Sequence, residues 1–191
     1  MESRGGELSY RQKVRLASCW RPYMTRFECL RCGKCCISFI DRLCDVPTGL
    51  ALLPDEMNLF AQADIRPLIG LARGTAIATV WYQLIRAPCP YYEPERCACT
   101  IYARRPCLCR AYPFKTALSY TKLGRCTWLT EQPCKGPIEL SAEMVVANET
   151  IAAYDRATFS VVSPEHVWIF NFETDAWVPL HNLRKSGAAL S

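Results

Sequence analysis

The chain carries only two histidines, His166 and His181, and has no apolar run of membrane-spanning length. The longest candidate, Thr75 to Ile85, is interrupted by Gln83 and stops at Arg86, so no membrane is expected among its partners. GxGxxG and phosphate-loop motifs are missing, which removes the usual dinucleotide and nucleotide sites. No nucleophile or acid/base constellation can be read either. Glu93 and Glu95 are close in sequence, but they sit in a proline-rich loop where solvent-facing carboxylates are the ordinary reading. Strong charge of one sign is also lacking: 23 Lys+Arg stand against 18 Asp+Glu, and a formal +5 makes a weak case for nucleic acid. Neither an internal repeat nor a linker divides the chain, so one domain is expected.

Cysteine, by contrast, is abundant. Thirteen residues of the 191 are cysteine, an odd number and well above ordinary usage, in a chain long enough to bury a core without staples. The opening M-E-S-R-G-G-E-L-S-Y-R-Q-K is charged and polar, which sets the expectation of a cytoplasmic protein with reduced thiols rather than a secreted disulfide framework. Four thiols, Cys29, Cys32, Cys35 and Cys36, fall within F-E-C-L-R-C-G-K-C-C. Two-residue gaps let a tight loop turn several sulfurs toward one metal, and the vicinal pair is awkward for ordinary disulfides. Gly33 suits the positive φ of such a turn, while Arg31 and Lys34 favour thiolate over thiol. A second block, Cys89 to Cys109, opens with Pro88-Cys89-Pro90, and a third pair, Cys126 and Cys134, precedes Gly136-Pro137. If the blocks meet, metal ties residues 29–36, 89–109 and 126–134 into one unit, closing loops that would otherwise cost entropy.

Between the blocks the pattern predicts modest secondary structure. Residues 1–26 read as a basic, aromatic arm forming a solvated short helix, and Val46 to Leu53, with Pro47 and Gly49 inside it, as an edge strand or extended loop. Pro54-Asp55-Glu56 starts a helix with Met57, Leu59, Phe60 and Ala63 on its buried face, ending before Pro67, and Leu68 to Arg73 reads as a further helical turn closed by Gly74. Ala76 to Ile85 is a strand. Prolines at 90, 94, 106 and 113 leave the second block little regular structure beyond a turn near Thr100 to Arg104. Thr116 to Leu123 is a strand or hairpin candidate. Ser141 opens a helix through Thr158 with Met144, Val145, Asn148, Ile151, Ala152 and Tyr154 on its apolar face, and Val167 to Leu180 forms a hairpin turning at Thr174-Asp175. The expected fold is α+β, a single small domain of short antiparallel strands and two main helices around a cysteine-bound metal centre. The basic arm spans 1–26, the cysteine-cluster domain 27–180 and a short tail 181–191.

The F-x-C-x-x-C-G-x-C-C loop, the later C-P-Y, the C-x-I-Y-x-x-R-P-x-x-C-R-x-Y-P-F run and the closing C-x7-C-x-G pair resemble the CxxCxxCC cysteine-cluster proteins, also called YkgJ-like. The resemblance covers roughly residues 27–136 and implies zinc or iron chelation. Carried over position by position, it implies Cys29, Cys32, Cys35, Cys36, Cys89, Cys99, Cys109, Cys126 and Cys134 as metal ligands. Cys19, Cys44, Cys97 and Cys107 are extras, and Cys97 or Cys107 could each substitute for the matched cysteine two residues on. Arg105, Pro106, Arg110, Tyr112 and Pro113 match as well, the arginines being able to donate hydrogen bonds to thiolate or sulfide. Nine thiols exceed the four that one zinc ion or one cubane needs, so two centres and one centre with accessory thiols both stay open. The dense loop, the remote Cys89-Pro90 and the absence of histidine from the blocks favour an iron–sulfur cluster of 4Fe-4S type, with all-cysteine zinc as the alternative.

Three function classes follow. The first is a metal-binding or electron-transfer module working with a protein or redox partner. The second is a modification enzyme, because the wider family implied by the resemblance includes flagellin lysine methylases. The third is an RNA- or protein-binding adaptor using Arg104, Arg105, Arg110 and Tyr112.

Overall fold

The β-branched, aromatic run A-I-A-T-V-W-Y-Q-L becomes the inner strand β6, Ala76–Leu84. In the computed structural model of the protein the described residues are 25–43, 45–113, 126–128 and 138–186. Strand β6 pairs antiparallel with β5, Ile65–Arg73, and on its other side with β4, Leu50–Leu52. The far edge of β5 takes β10, Val167–Asn171, which pairs in turn with β11, Ala176–Pro179, giving a five-stranded sheet in the order β11-β10-β5-β6-β4. Three two-stranded ribbons surround it: β2, Asp41–Leu43, on β3, Val46–Thr48; β7, Tyr92–Glu93, on β8, Ala98–Cys99; and a parallel pair, β1, Thr25–Arg26, on β9, Ile138–Glu139.

Helices are few. The helix α3, Ala142–Phe159, starts where Ser141 accepts the Met144 N–H at 3.3 Å, and it buries Met144, Ala147, Asn148, Ile151 and Asp155. That stripe follows the helical period more strictly than the expected face: Val145, one residue off the stripe, points to solvent. Tyr154 crosses to the sheet, donating its hydroxyl to Val80 O and meeting Trp81 edge-on with ring centroids 5.4 Å apart. Two shorter α-helices, α1, Lys34–Ile37, and α2, Cys107–Ala111, carry cysteines, and α4, Leu180–Ser186, buries Leu183 in the core.

Several local expectations are corrected. Pro54–Leu59 is a 3₁₀ helix rather than the start of an α-helix, because Phe60 is extended and its N–H closes an i to i+3 bond on Met57 O at 3.1 Å; Ala63 is exposed. Leu68 to Arg73 is strand, held on both edges by β6 and β10, and Pro67 is tolerated because the register shifts beside it. Proline did not prevent α2, since Pro106 stands at its N-cap, where no helical N–H is needed. The strand at Val46 to Leu53, the Tyr102–Arg104 turn and the Val167 hairpin are as expected. The basic arm through residue 24, Thr116 to Leu123 and the tail beyond residue 186 lie outside the described residues.

The core joins β4, β5, β6, β10, α2 and α3 around Phe39, Leu52 and Leu84, each fully buried. One amide sits inside it. Gln83 accepts the Gly49 N–H at 2.7 Å and donates to Pro67 O at 2.6 Å and Phe170 O at 3.4 Å, so its burial leaves no polar atom wasted. Gly49 has to be glycine here: a Cβ would run into the Leu84 carbonyl.

Candidate metal centre

Five stretches of chain, 29–36, 89, 97–99, 109 and 126, bring sulfur to one cavity of about 420 Å³. The turn before α1 contributes Cys29 and Cys32, α1 contributes Cys35 and Cys36, and the Cys89 loop is tied down by its N–H donating to Cys36 O at 2.8 Å. Strand β8 brings Cys99 and α2 brings Cys109, while Cys126 closes one side beside Trp128. Eight of the nine ligands implied by the resemblance therefore line a single cavity, and Cys134 lies outside the described residues, as do Cys19 and Cys44. The ninth thiol on the cavity wall is Cys97, held at φ 46°. Cys107 does not line it; its thiol is 4 % exposed and accepts from Arg110 Nη2 at 3.0 Å. The sequence left Cys97 and Cys107 equivalent, and helical geometry separates them: Cys107 and Cys109 lie about 200° apart around α2, so they cannot face the same way.

Backbone geometry prepares this wall. Gly33 adopts φ 72° and its N-terminal turn to α1 is closed by Cys36 N–H on Gly33 O at 2.8 Å. The Tyr92 ring lies where a side chain on Gly33 would go. Behind α2, the buried Glu56 carboxylate accepts the Leu53 N–H at 2.9 Å and the Cys107 N–H at 2.6 Å, so a carboxylate fixes the first turn of the helix that carries Cys109. Sequence reading missed Glu56, although Pro-Asp-Glu at a helix start is the signal for a side chain that folds back onto the preceding N–H.

The electrostatics describe thiols crowded against one another. Burial drives the Cys109 thiol well above its ordinary range, and Cys35, Cys89 and Cys99 push it further. Cys36 is also raised, first by its contact with Cys35 and then by burial, while Cys35 is lowered to about 7 by that same contact, helped by the Arg105 charge. At Cys32 burial opposes ionisation but is outweighed by hydrogen bonds from the Thr127 hydroxyl and from the backbone N–H groups of Lys34 and Thr127, so the thiol sits below its ordinary value. Burial raises Cys89, opposed by the Tyr91 and Tyr92 N–H groups. Thiols this close cannot all ionise by themselves; a cation among them removes the penalty, and the backbone donors then meet thiolate. The donor set thus fits a thiophilic metal. Among the described residues no group of three Cys, His, Asp or Glu side chains is placed to hold a single ion.

Three arginines, Arg31, Arg105 and Arg110, line this space. Arg105 stacks on the Tyr102 ring, 3.6 Å from its centroid, and pairs with Glu143 at 3.2 Å, leaving 14 % of its side chain exposed. Arg110 reaches Cys107, which lies off the cavity wall, and Arg104 is exposed. Phe27, Leu30, Ile101, Trp128 and Met144 add an apolar part to the wall, beside Lys34, Ser141 and Glu143; Phe27 meets Trp128 edge-on at 5.1 Å.

A cavity lined by nine thiols and no histidine defines a cysteine-cluster metal-binding protein. The sequence matches, over residues 28–135, the family CxxCxxCC, described as a "Putative zinc- or iron-chelating domain", which is more than half of the chain, and the protein belongs to that family. No curated protein and no solved structure matches it. None of the described helices is long and apolar enough to cross a membrane.

Proposed function

We propose that the chain holds an iron–sulfur centre of the 4Fe-4S type in this cavity and acts as an electron-transfer or accessory protein in the cytoplasm, with a protein redox partner. The carrying observation is the number of thiols: nine sulfurs line one cavity of about 420 Å³, more donors than the four that a single ion takes. Such a centre would supply one-electron chemistry. Cys35, Cys36, Cys89, Cys99 and Cys109 would hold it. Arg105, with its guanidinium beside Cys35 and Cys109, would offset thiolate charge and bias the reduction potential upward, and the Tyr91 and Tyr92 N–H groups would do the same at Cys89. The apolar wall of Phe27, Leu30 and Ile101 would limit water around the sulfurs.

Zinc is the second reading, and one distance favours it. Cys35 and Cys36 Sγ are 4.0 Å apart, close to the roughly 3.8 Å edge of a tetrahedron with about 2.3 Å zinc–sulfur bonds. The test is elemental and sulfide analysis of protein purified without oxygen. Iron with acid-labile sulfide and a brown colour supports the first reading; stoichiometric zinc, no sulfide and no colour replaces it with the second.

A further inference from the structure

We infer that Tyr102 is a positioning residue for the metal centre: met by both Arg31 and Arg105, its ring straps the turn that carries Cys29 and Cys32 to the body of the domain and governs how tightly the cavity keeps its metal. The inference rests on the reading that the cavity thiols hold metal.

The contacts run in one line from a helix to the turn. Glu143, on α3, pairs through both carboxylate oxygens with Arg105 Nη2 at 3.2 Å. Arg105 donates its Nε–H to Tyr102 O at 2.9 Å and lays its guanidinium 3.6 Å from the centroid of the Tyr102 ring. The Arg31 guanidinium reaches the same ring, 5.9 Å from the centroid, within the range at which a cation is attracted to an aromatic face. Arg31 makes no ion pair among the described residues, and Arg31, Tyr102 and Arg105 all line the cavity. Tyr102 is 41 % exposed and takes no part in the hydrophobic core, so packing of the fold does not account for its ring.

The turn needs such a tie. Residues 27–33 have no regular structure, and Cys29 to Cys32 are all exposed. Arg31 is held at φ 51°, a conformation that costs an L-residue and persists only where contacts fix it. Phe27 on Trp128 and the Thr127 hydrogen bonds to Cys32 secure the turn to residues 126–128. Arg31 on Tyr102 secures it to the block that carries Cys99 and Cys109. Cys29 and Cys32 are exposed where Cys89, Cys99 and Cys109 are half-buried, so this turn is the side on which the cavity opens when the strap is cut.

The experiment uses full-length, metal-replete protein purified anaerobically, and reads chelator competition for the metal together with hydrogen exchange of the amides in residues 29–33. Tyr102→Leu, which keeps apolar bulk without an aromatic face, should hold metal about 10-fold less tightly, the lower end of what outer partners of metal ligands contribute. Its amides at 29–33 should exchange faster while the β5–β6 hairpin keeps the parent rates. Tyr102→Phe, which keeps the ring, should match the parent in both readings. Arg31→Asn removes the cation and leaves a residue that tolerates positive φ, so it should lose metal and protection in the same way. The double variant should be no worse than Tyr102→Leu alone, because both changes remove one contact. Parent-like behaviour of Tyr102→Leu, or effects of the two changes that multiply, would overturn the strap. Faster exchange with unchanged metal affinity would overturn its link to the metal. A parent that carries no metal would defeat the metal reading itself, and the exchange rates would still decide the strap. Should Tyr102→Leu not fold, Arg31→Asn against the parent decides on the same two readings.

Discussion

The carboxylate of Glu56 accepts the backbone N–H of Cys107 at 2.6 Å, joining residues 51 positions apart in a buried contact. It reaches the Leu53 N–H with its other oxygen, so one side chain satisfies two backbone donors and fixes α2 against the start of the 3₁₀ segment. Glu56→Ala should cost about 2–4 kcal/mol in denaturant unfolding, because both N–H groups lose their partner in a dry setting. Glu56→Gln, which keeps one acceptor, should fall between. Equal stability of all three proteins would show that the contact carries no weight.

Gly33→Ala should lower both stability and metal retention. The φ of 72° costs an L-residue about 1–2 kcal/mol, and the new methyl collides with the Tyr92 ring. Adding Tyr92→Ala should recover the collision but not the backbone cost, so metal retention should rank parent, double variant, single variant. Chelator competition on the three proteins reads that order.

Gln83→Leu tests the fold away from the sulfurs. The Gly49 N–H and the Pro67 carbonyl would be left buried and unpaired, for a loss of about 2–4 kcal/mol. Metal content per folded molecule should stay at the parent value. A variant as stable as the parent would mean that water reaches both groups.

Asp155 gives a pH signature. Burial pushes its carboxyl up to about 6 from an ordinary 3.8, with the Trp81 indole N–H at 3.2 Å opposing the shift. The folded state therefore binds a proton more readily than the unfolded chain, and this group's contribution to stability falls as pH rises through that interval and is level above it. Asp155→Asn removes the titration, so its melting temperature minus that of the parent should climb between about pH 4 and about pH 6.5. The subtraction cancels acid effects on the thiols, which both proteins share. A flat difference would rule out the raised carboxyl.

Metal removal should act unevenly. Hydrogen exchange of chelated protein should speed up in residues 29–36 and 89–109, whose thiols line the cavity, while the β5–β6 hairpin keeps most of its protection. Uniform loss of protection would mean that the sheet itself depends on the metal.

What could be read in advance was whatever has a local cause. Cysteine spacing announced the cavity wall, Ser141 announced α3, and the β-branched run announced β6, since each depends on residues within a turn or two. The misreadings came from partners distant in sequence. Leu68 to Arg73 is strand because β6 and β10 offer hydrogen bonds on both sides, and nothing within the segment itself records those neighbours. Cys107 was separated from Cys97 only by the turn of α2, a helix that Pro106 starts rather than prevents.

The parallel pair of β1 and β9 sets Thr25 beside Ile138 and Arg26 beside Glu139, immediately outside the stretch 28–135 that matches the family. Entry and exit of that stretch therefore run side by side in the same direction, like two cords through one toggle. Sequence upstream and downstream of the stretch thus meets it at one place. Beyond the toggle the chain folds back twice, β10 covering the outer edge of β5 and α3 packing Ala147 and Ile151 into the core beside α2, so the matched stretch and the segment after it share one core.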